Sequence, residues 1–161
     1  MSELLEKARS YEAKKIAATD KESKPLFHIS APAGWINDPN GFSVYNGKIH
    51  LFYQYYPYLR EWGPMHWGHS TTSDMIKWEQ LPCVLAPDEE YDKKGCFSGS
   101  AIEADGKHVL VYTGVTRIKL PDGSEQERQN QCIAFGDGLN YVKHENCLLY
   151  TSPSPRDGAT S

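Results

Sequence analysis

The alternation of apolar and polar residues divides the chain into one helical segment and a longer stretch typical of β-strands. Residues 2–18 carry apolar side chains at helical spacing, and Ser2 is a suitable N-cap ahead of Glu3. The apolar face consists of Leu4, Leu5, Ala8, Tyr11 and Ile16. Because the polar face carries charges of both signs and is not basic, we expect a helical arm that packs on the main body and not a membrane-surface helix.

Beyond Pro25, turn signals predict two β-hairpins. Asn46-Gly47 and Asp105-Gly106 favour type I′ turns, since both central positions of such a turn need positive φ. The flanking strands are predicted at Phe42–Tyr45, Lys48–Tyr53, Ala101–Glu103 and His108–Thr113. Residues 117–129 are polar and charged, and we expect them to form a loop between strands.

The two hairpins belong to a weak internal repeat. Their turns lie 59 residues apart, from Gly47 to Gly106, and Asp74 and Asp137 begin similar segments 63 residues apart. A period of about 60 residues with several short strands in each copy fits the four-stranded blades of a β-propeller. Two copies do not close a propeller, so the pattern leaves open a small sandwich or a part of a longer chain.

Composition narrows the fold class and the partners. Ten Tyr, four Trp, thirteen Gly and ten Pro favour short strands and tight turns over a helical bundle. A net charge of −4 gives no basic field for nucleic acid or an anionic membrane. No apolar run approaches the ~20 residues that span a bilayer. The N-terminal segment is charged where a signal peptide is apolar, which predicts a cytoplasmic protein.

Three further groups of residues receive structural interpretations. Cys83, Cys96, Cys132 and Cys147 lack C-x-x-C spacing and are expected to be free thiols, with Cys96 a small core residue. His66 and His69 stand three apart in a strand-rich region, so we expect packing or hydrogen bonding and no metal site. The acidic residues Glu89, Glu90 and Asp92 are expected in a solvated loop.

The segment Trp35–Gly41 carries the most informative chemistry. Asp-Pro-Asn-Gly by itself is typical of a tight turn, because Pro fixes φ and Asn and Gly accept positive φ. Its context favours a sugar site: Trp and Asn precede Asp38, and predicted strands follow that bring further aromatic and polar side chains. Aromatic rings pack on the C–H faces of sugars, and amides and carboxylates bind sugar hydroxyls.

Motifs in consecutive order resemble glycoside hydrolase family 32, which contains invertases, sucrose-6-phosphate hydrolases and fructan hydrolases. They are His28-x-x-x-x-x-Gly34-Trp35-Ile36-Asn37-Asp38-Pro39-Asn40-Gly41, Phe52-Tyr53-Gln54-Tyr55, Glu61-Trp62-Gly63, His66-Trp67-Gly68-His69, Ser73-Asp74-x-x-x-Trp78 and Phe97-Ser98-Gly99-Ser100. The resemblance covers residues 26–146. It implies an all-β chain: a helical arm over residues 1–24 and then about two blades of a five-bladed β-propeller over residues 25–146.

The resemblance also implies the chemistry. The family hydrolyses terminal β-D-fructofuranosides with retention, and Asp38 matches the nucleophile that attacks the anomeric carbon. The positions that match the fructose pocket are Trp35, Asn37, Gln54, Trp62, Phe97 and Ser98. No metal or organic cofactor is needed, and the partner is a small carbohydrate. Sucrose or sucrose 6-phosphate is the favoured substrate, with levan or inulin as the alternative.

Two parts of the family's machinery have no match in this sequence. The family's general acid, a Glu, is expected well past residue 161, and the Asp of its Arg-Asp-Pro motif near or beyond residue 157, where Arg156-Asp157-Gly158 lacks the Pro. Residues 147–161 resemble the translation of a transposase adapter used in sequencing libraries, with an ordinary Ser/Pro-rich tail as the alternative. The chain alone is therefore expected to be inactive, and a sugar-binding fragment is the alternative to an enzyme segment.

Overall fold

One helix and eight strands form the described part of the chain. The computed structural model describes residues 1–20, 22, 24–25 and 27–145, so Asn146 and the predicted tail lie outside the described residues. The elements are α1 (Glu3–Ala18), β1 (Trp35–Tyr45), β2 (Lys48–Tyr56), β3 (His66–Thr72), β4 (Glu79–Leu85), β5 (Gly95–Ala104), β6 (Lys107–Lys119), β7 (Glu125–Gly136) and β8 (Tyr141–Lys143). The strands form two four-stranded antiparallel sheets in the orders β1-β2-β3-β4 and β5-β6-β7-β8.

Both predicted hairpins are confirmed, with longer strands than the sequence indicated. Asn46 and Gly47 have φ of 48° and 71°, and Asp105 and Gly106 have φ of 50° and 72°, as a type I′ turn requires. The loop predicted for residues 117–129 is shorter than expected and is confined to residues 120–124, because β6 and β7 stay paired as far as Lys119 opposite Glu125. Those residues are polar because this end of the strand pair is largely exposed to solvent.

The internal repeat corresponds to the two sheets. Asp74 Oδ1 accepts hydrogen bonds from the N–H groups of Ile76 (2.9 Å) and Lys77 (2.8 Å) between β3 and β4. Between β7 and β8, Asp137 Oδ1 accepts from the backbone two and three residues ahead, at 2.9 and 2.7 Å. These bonds hold the pKa of both carboxyls below their usual range. Two equivalent meanders are two consecutive blades of a β-propeller, which confirms that interpretation over the single sandwich.

A buried histidine cluster lies in the interface between the two blades. His50 Nδ1 is 2.9 Å from His69 Nε2, and the ring of His108 packs edge-on against His50 with centroids 4.8 Å apart. His108 also hydrogen bonds with Ser43 Oγ (2.9 Å) and the Tyr141 hydroxyl (2.7 Å). Burial lowers the pKa of all three histidines, that of His108 to about 4. The interface therefore holds these rings in their neutral form.

The structural role expected for His66 and His69 is confirmed. His69 belongs to the histidine cluster, and His66 Nδ1 lies 2.8 Å from the carbonyl oxygen of Pro64. Among the described residues, no group of three or more His, Cys, Asp or Glu side chains is arranged to hold a metal ion. Cys83 and Cys96 are buried free thiols, as expected, Cys132 is buried as well, and Cys147 lies outside the described residues.

The helix α1 packs on the edge strand β4, and its predicted apolar face is partly wrong. Leu5 and Ala8 are buried, but Leu4 and Ile16 are 44% and 43% exposed. Glu12 is buried in their place, with Oε1 accepting from the Cys83 N–H at 2.7 Å, while Arg9 Nε donates to the Cys83 carbonyl at 2.7 Å. The two side chains satisfy backbone groups that an edge strand leaves unpaired. No helix in the described ranges is long and apolar enough to cross a membrane.

The acidic cluster after β4 is only partly solvated. Glu89 and Glu90 are exposed as expected, but Asp92 is fully buried. Asp92 Oδ2 accepts from the Tyr112 hydroxyl at 2.8 Å and from Lys143 Nζ at 2.5 Å, and Lys143 also pairs with Asp88. The expectation for Asp92 was wrong because its partner cation lies 51 residues further along the chain.

Candidate active site

The strand that carries Trp35–Gly41 is continuous but irregular. The pairing of β1 with β2 has register shifts between Ile36 and Pro39 and between Asn40 and Ser43. A proline, which has no N–H to donate, is tolerated at such an irregularity. Gly41 has φ of +53°, and a Cβ there would lie 2.7 Å from the Phe52 side chain. The tight turn that Asp-Pro-Asn-Gly favours by itself therefore does not form, and these residues lie within the strand β1.

This bulged strand exposes Asp38 beside the second blade. Ser98, near the start of β5, donates from Oγ to Asp38 Oδ2 at 3.3 Å, and both residues are exposed. The strands β1 and β5 are the first strands of their blades, so the pair lies where those two strands meet. Within the described residues, no hydrogen bond or ion pair joins Asp38 to a second carboxyl group.

Two side chains that precede Asp38 form a fixed pair. Trp35 Nε1 donates to Asn37 Oδ1 at 2.9 Å. This bond occupies the amide oxygen of Asn37 and sets the plane of its amide group. The Nδ2 donors then point away from the indole, which suits a ligand rich in hydroxyl groups.

An aromatic pair continues the site on the other side of Ser98. The rings of Trp62 and Phe97 meet edge to face with centroids 6.2 Å apart. Trp62, in the loop after β2, is 55% exposed, and Phe97 is half-buried next to Ser98. Trp62, Phe97, Ser98 and Asp38 thus form a row that leads from an apolar wall to a carboxylate.

Gln54 lies behind this row and supports its backbone. It is 3% exposed and donates from Nε2 to the carbonyl oxygen of Cys96 at 2.9 Å. Trp67 makes the equivalent contact one residue on, from Nε1 to the Phe97 carbonyl at 3.1 Å, and the Cys96 N–H donates to the Met65 carbonyl at 2.8 Å. The supporting role of Trp67 was not predicted, because nothing in its motif indicates where the indole N–H points.

The comparison with family models decides the family. Residues 28–160 match the model described as "Glycosyl hydrolases family 32 N-terminal domain". The chain belongs to glycoside hydrolase family 32. The match extends into residues 147–160, outside the described ranges, where the adapter interpretation stays a prediction.

The family 32 relatives are considerably longer than this chain. A sucrose-6-phosphate hydrolase of Zymomonas mobilis subsp. mobilis is 44% identical over 133 residues, which are 82% of this chain and 26% of the relative. A levanase of Bacillus subtilis is 37% identical over 158 residues, 96% of this chain and 23% of the relative. The chain spans about a quarter of the length of these curated relatives.

A solved family 32 structure has the same arrangement of strands. The beta-fructofuranosidase of Bombyx mori superposes with a TM-score of 0.79 at 43% sequence identity, over 92% of this chain and 31% of that one. A variant of that enzyme has been solved in complex with sucrose. This agreement supports the two-blade description.

Proposed function

We propose that this chain is the nucleophile-bearing part of a retaining β-fructofuranosidase. The observation that carries the proposal is the exposed Asp38 carboxylate, hydrogen bonded by Ser98 where the first strands of two blades meet. In the first step an Asp38 oxygen attacks the anomeric carbon of fructose, and the bond to the leaving-group oxygen breaks. Water then hydrolyses the fructosyl ester and restores the carboxylate.

The neighbouring side chains have separate roles in this proposal. Ser98 donates to one oxygen of Asp38 and so directs the other toward the sugar. Asn37 offers its Nδ2 donors to fructose hydroxyls, because Trp35 occupies the amide oxygen. Trp62 and Phe97 supply the apolar wall. Gln54 and Trp67 act as positioning residues, since they hold the backbone of β5.

The complete reaction needs groups that the described residues do not bring to Asp38. A leaving oxygen must receive a proton, and a retaining enzyme places its second carboxyl group about 5–5.5 Å from the nucleophile. General acid catalysis contributes roughly 10²–10⁴-fold. The proposed activity therefore belongs to a longer protein, and the chain alone is expected not to turn over substrate.

Sucrose and sucrose 6-phosphate are the proposed substrates. The sucrose-6-phosphate hydrolase relatives support this choice, and the levanase relative supports exo-hydrolysis of a fructan as the second candidate. A small carbohydrate is the partner in both cases. A cytoplasmic location and an adapter origin for residues 147–161 remain predictions of the sequence.

Replacement of the nucleophile tests the proposal. In the full-length protein, Asp38→Asn is expected to lower kcat for sucrose by at least about 10³-fold. The thermal unfolding midpoint should change little, because Asp38 is exposed and makes one hydrogen bond in the described structure. Asp74→Asn is the matched control, since it alters an exposed aspartate in a turn and should keep normal turnover. Near-normal turnover by Asp38→Asn would contradict the assignment.

A further inference from the structure

The hairpin formed by β6 and β7 extends beyond the rest of its blade. The first residue of β5, Gly95, pairs with Val115, whereas β6 and β7 stay paired further along, as far as Lys119 opposite Glu125. We call residues 116–128 the arm. At about 3.4 Å per residue, its strands project about 14 Å past the start of β5. Most of its side chains are exposed to solvent, so the arm is not part of the core between the blades.

The arm leaves the second blade at the edge that carries the candidate active site. In the first blade, the same connection between the second and third strands is the loop that carries Trp62. The end of that loop contacts the start of β5, because the Cys96 N–H donates to the Met65 carbonyl at 2.8 Å. Asp38 and Ser98 lie near the starts of β1 and β5, at this edge. The arm therefore projects beside the proposed nucleophile.

The base of the arm is held to the segment before β5. Lys94 Nζ lies 2.6 Å from Glu127 Oε2, and the two side chains are only 29% and 43% exposed. Lys94 directly precedes β5, and its N–H donates to the Val115 carbonyl at 2.8 Å. A second ion pair, between Arg117 and Glu125 at 3.5 Å, joins the two strands of the arm. These contacts fix the arm relative to the strand that carries part of the site.

One edge of the arm has main-chain groups that face no other strand. In the part of the chain that the structure describes, β5 pairs with β6 only as far as Val115. The Val115 carbonyl points toward β5, and main-chain groups of alternate residues point the same way, so those of Arg117 and Lys119 lie on the open edge. Because β5 is the first strand of its blade, this edge faces the side on which Asp38 lies.

We propose that the open edge of the arm binds the leaving-group sugar of the substrate. The inference rests on the proposed function and makes the arm a determinant of which fructosides are cleaved. Asp38 attacks the anomeric carbon from the side opposite to the bond that breaks, so the leaving group points away from Asp38 and toward the open end of the site. An unpaired strand edge offers N–H donors and C=O acceptors, which suit a neutral sugar with many hydroxyl groups.

Two substrates with the same fructosyl group test the inference in the full-length protein. They are sucrose and methyl β-D-fructofuranoside, whose leaving group is only methanol. The arm is shortened by replacing residues 117–127 with Asn-Gly, which closes β6 and β7 with a type I′ turn between Thr116 and Arg128. The reference is Glu127→Gln, which also loses the salt bridge to Lys94 but keeps the arm. Relative to it, shortening should lower kcat/KM for sucrose at least about tenfold and leave the methyl fructoside within about twofold.

A smaller change tests the main-chain groups themselves. Arg117→Pro removes one N–H from the open edge, and the pairing with β7 is kept because this N–H points away from β7. Arg117→Ala is its reference, since it removes the same side chain and keeps the N–H. The proline variant should have a kcat/KM for sucrose about threefold below that of the alanine variant, with equal values for the methyl fructoside.

The outcomes separate the inference from the proposed function. A loss confined to sucrose in the shortened and proline variants supports the inference. Sucrose values equal to those of the references overturn it, and so does an increase for sucrose, which would make the arm a barrier. If the shortened protein loses both substrates, the comparison of Arg117→Pro with Arg117→Ala decides. If the wild-type protein hydrolyses neither substrate, the proposed function fails. Calorimetric titration with sucrose then decides about the arm, because equal affinity with and without it, or no binding, overturns the inference.

Discussion

At the scale of single residues, Trp62 has surroundings that indicate a binding role. More than half of its surface is exposed, and its ring meets that of Phe97 edge to face, with centroids 6.2 Å apart. A large exposed aromatic residue beside a carboxylate suits the apolar face of a sugar ring. We therefore expect Trp62 to contribute area to substrate binding and little to the stability of the fold.

Removal of the indole tests this role. In the full-length protein, Trp62→Ala should raise KM for sucrose by about tenfold, which corresponds to 1.4 kcal/mol of lost binding. Steady-state kinetics measure the change. Ile76→Ala is the control, because Ile76 is 61% exposed on the turn between β3 and β4. Unchanged KM and kcat for Trp62→Ala would contradict the role of Trp62 as an apolar surface for the substrate.

Local sequence patterns identified some residues of the site, but they did not reveal the surroundings of others. Asp38 and Ser98 were selected by motif, and the structure brings them together at 3.3 Å. Gln54 was predicted to contact sugar, yet it is buried against the backbone of β5, so its direct contact stays a prediction. The burial of Asp92 and Glu12 was not visible, because each depends on partners far away in the chain.

At the scale of elements, the attachment of α1 depends on the protonation of Glu12. Burial raises the pKa of Glu12 to about 7, against the lowering effect of the hydrogen bond from Cys83. Its Oε2 atom and the Tyr55 hydroxyl are both buried, and the interaction with this hydroxyl also lowers the pKa of Glu12, but less than burial raises it. A protonated Glu12 supplies a donor in that environment, whereas a charged Glu12 loses hydration that the Cys83 N–H and the Arg9 charge offset only in part.

This arrangement predicts a loss of stability with rising pH. The folded pKa of about 7 exceeds the ordinary value of 4.5, so the contribution of Glu12 is complete below pH 4.5 and is lost as pH rises through 7. Glu12→Gln, which stays neutral, should remove this loss, which is at most roughly 3 kcal/mol. Hydrogen exchange of the α1 amides between pH 5 and 8 measures the effect.

A control on the same helix completes this test. Glu6 is exposed on α1, so Glu6→Gln should leave the pH dependence of α1 exchange unchanged. Equal pH dependence in wild type and Glu12→Gln would show that α1 does not depend on the protonation of this carboxyl group.

The elements were predicted best where their chemistry is local. The hairpin turns follow from the φ preferences of Asn-Gly and Asp-Gly, and the helix start follows from the Ser2 cap, which accepts from the Leu5 N–H at 3.2 Å. The paired ends of β6 and β7 were not predicted, because an exposed pair of strands shows no alternation of apolar and polar residues. Cross-strand ion pairs such as Arg117 with Glu125 contribute to this strand pair instead.

At the scale of the whole molecule, the interface between the blades depends on neutral histidines. Their folded pKa values lie below the ordinary 6.5, so the stability they allow is present above that value and is lost as pH falls toward 4. Protonation of Glu12 has the opposite effect, because it stabilises the fold as pH falls through about 7. The histidines outnumber it, and acid is therefore expected to separate the blades.

The proton uptake on unfolding measures this dependence. The slope of the unfolding free energy against pH gives the number of protons taken up on unfolding. Between pH 4.5 and 6.5, this number should be lower by about one in His108→Gln than in wild type. Glutamine keeps a polar side chain near Ser43 and Tyr141. His28→Gln serves as the control, because His28 is exposed. An identical slope in wild type and His108→Gln would contradict a titrating role for His108.

The support of the site by backbone carbonyls has a consequence for protein engineering. The donors are side chains of the first blade, Gln54 and Trp67, whereas the acceptors are main-chain oxygens that every residue type provides. The side chain at position 97 is therefore free to be diversified for new substrates without removing its anchor. In blade shuffling between homologous enzymes, a junction between β4 and β5 preserves this anchor as long as the first blade keeps Gln54 and Trp67.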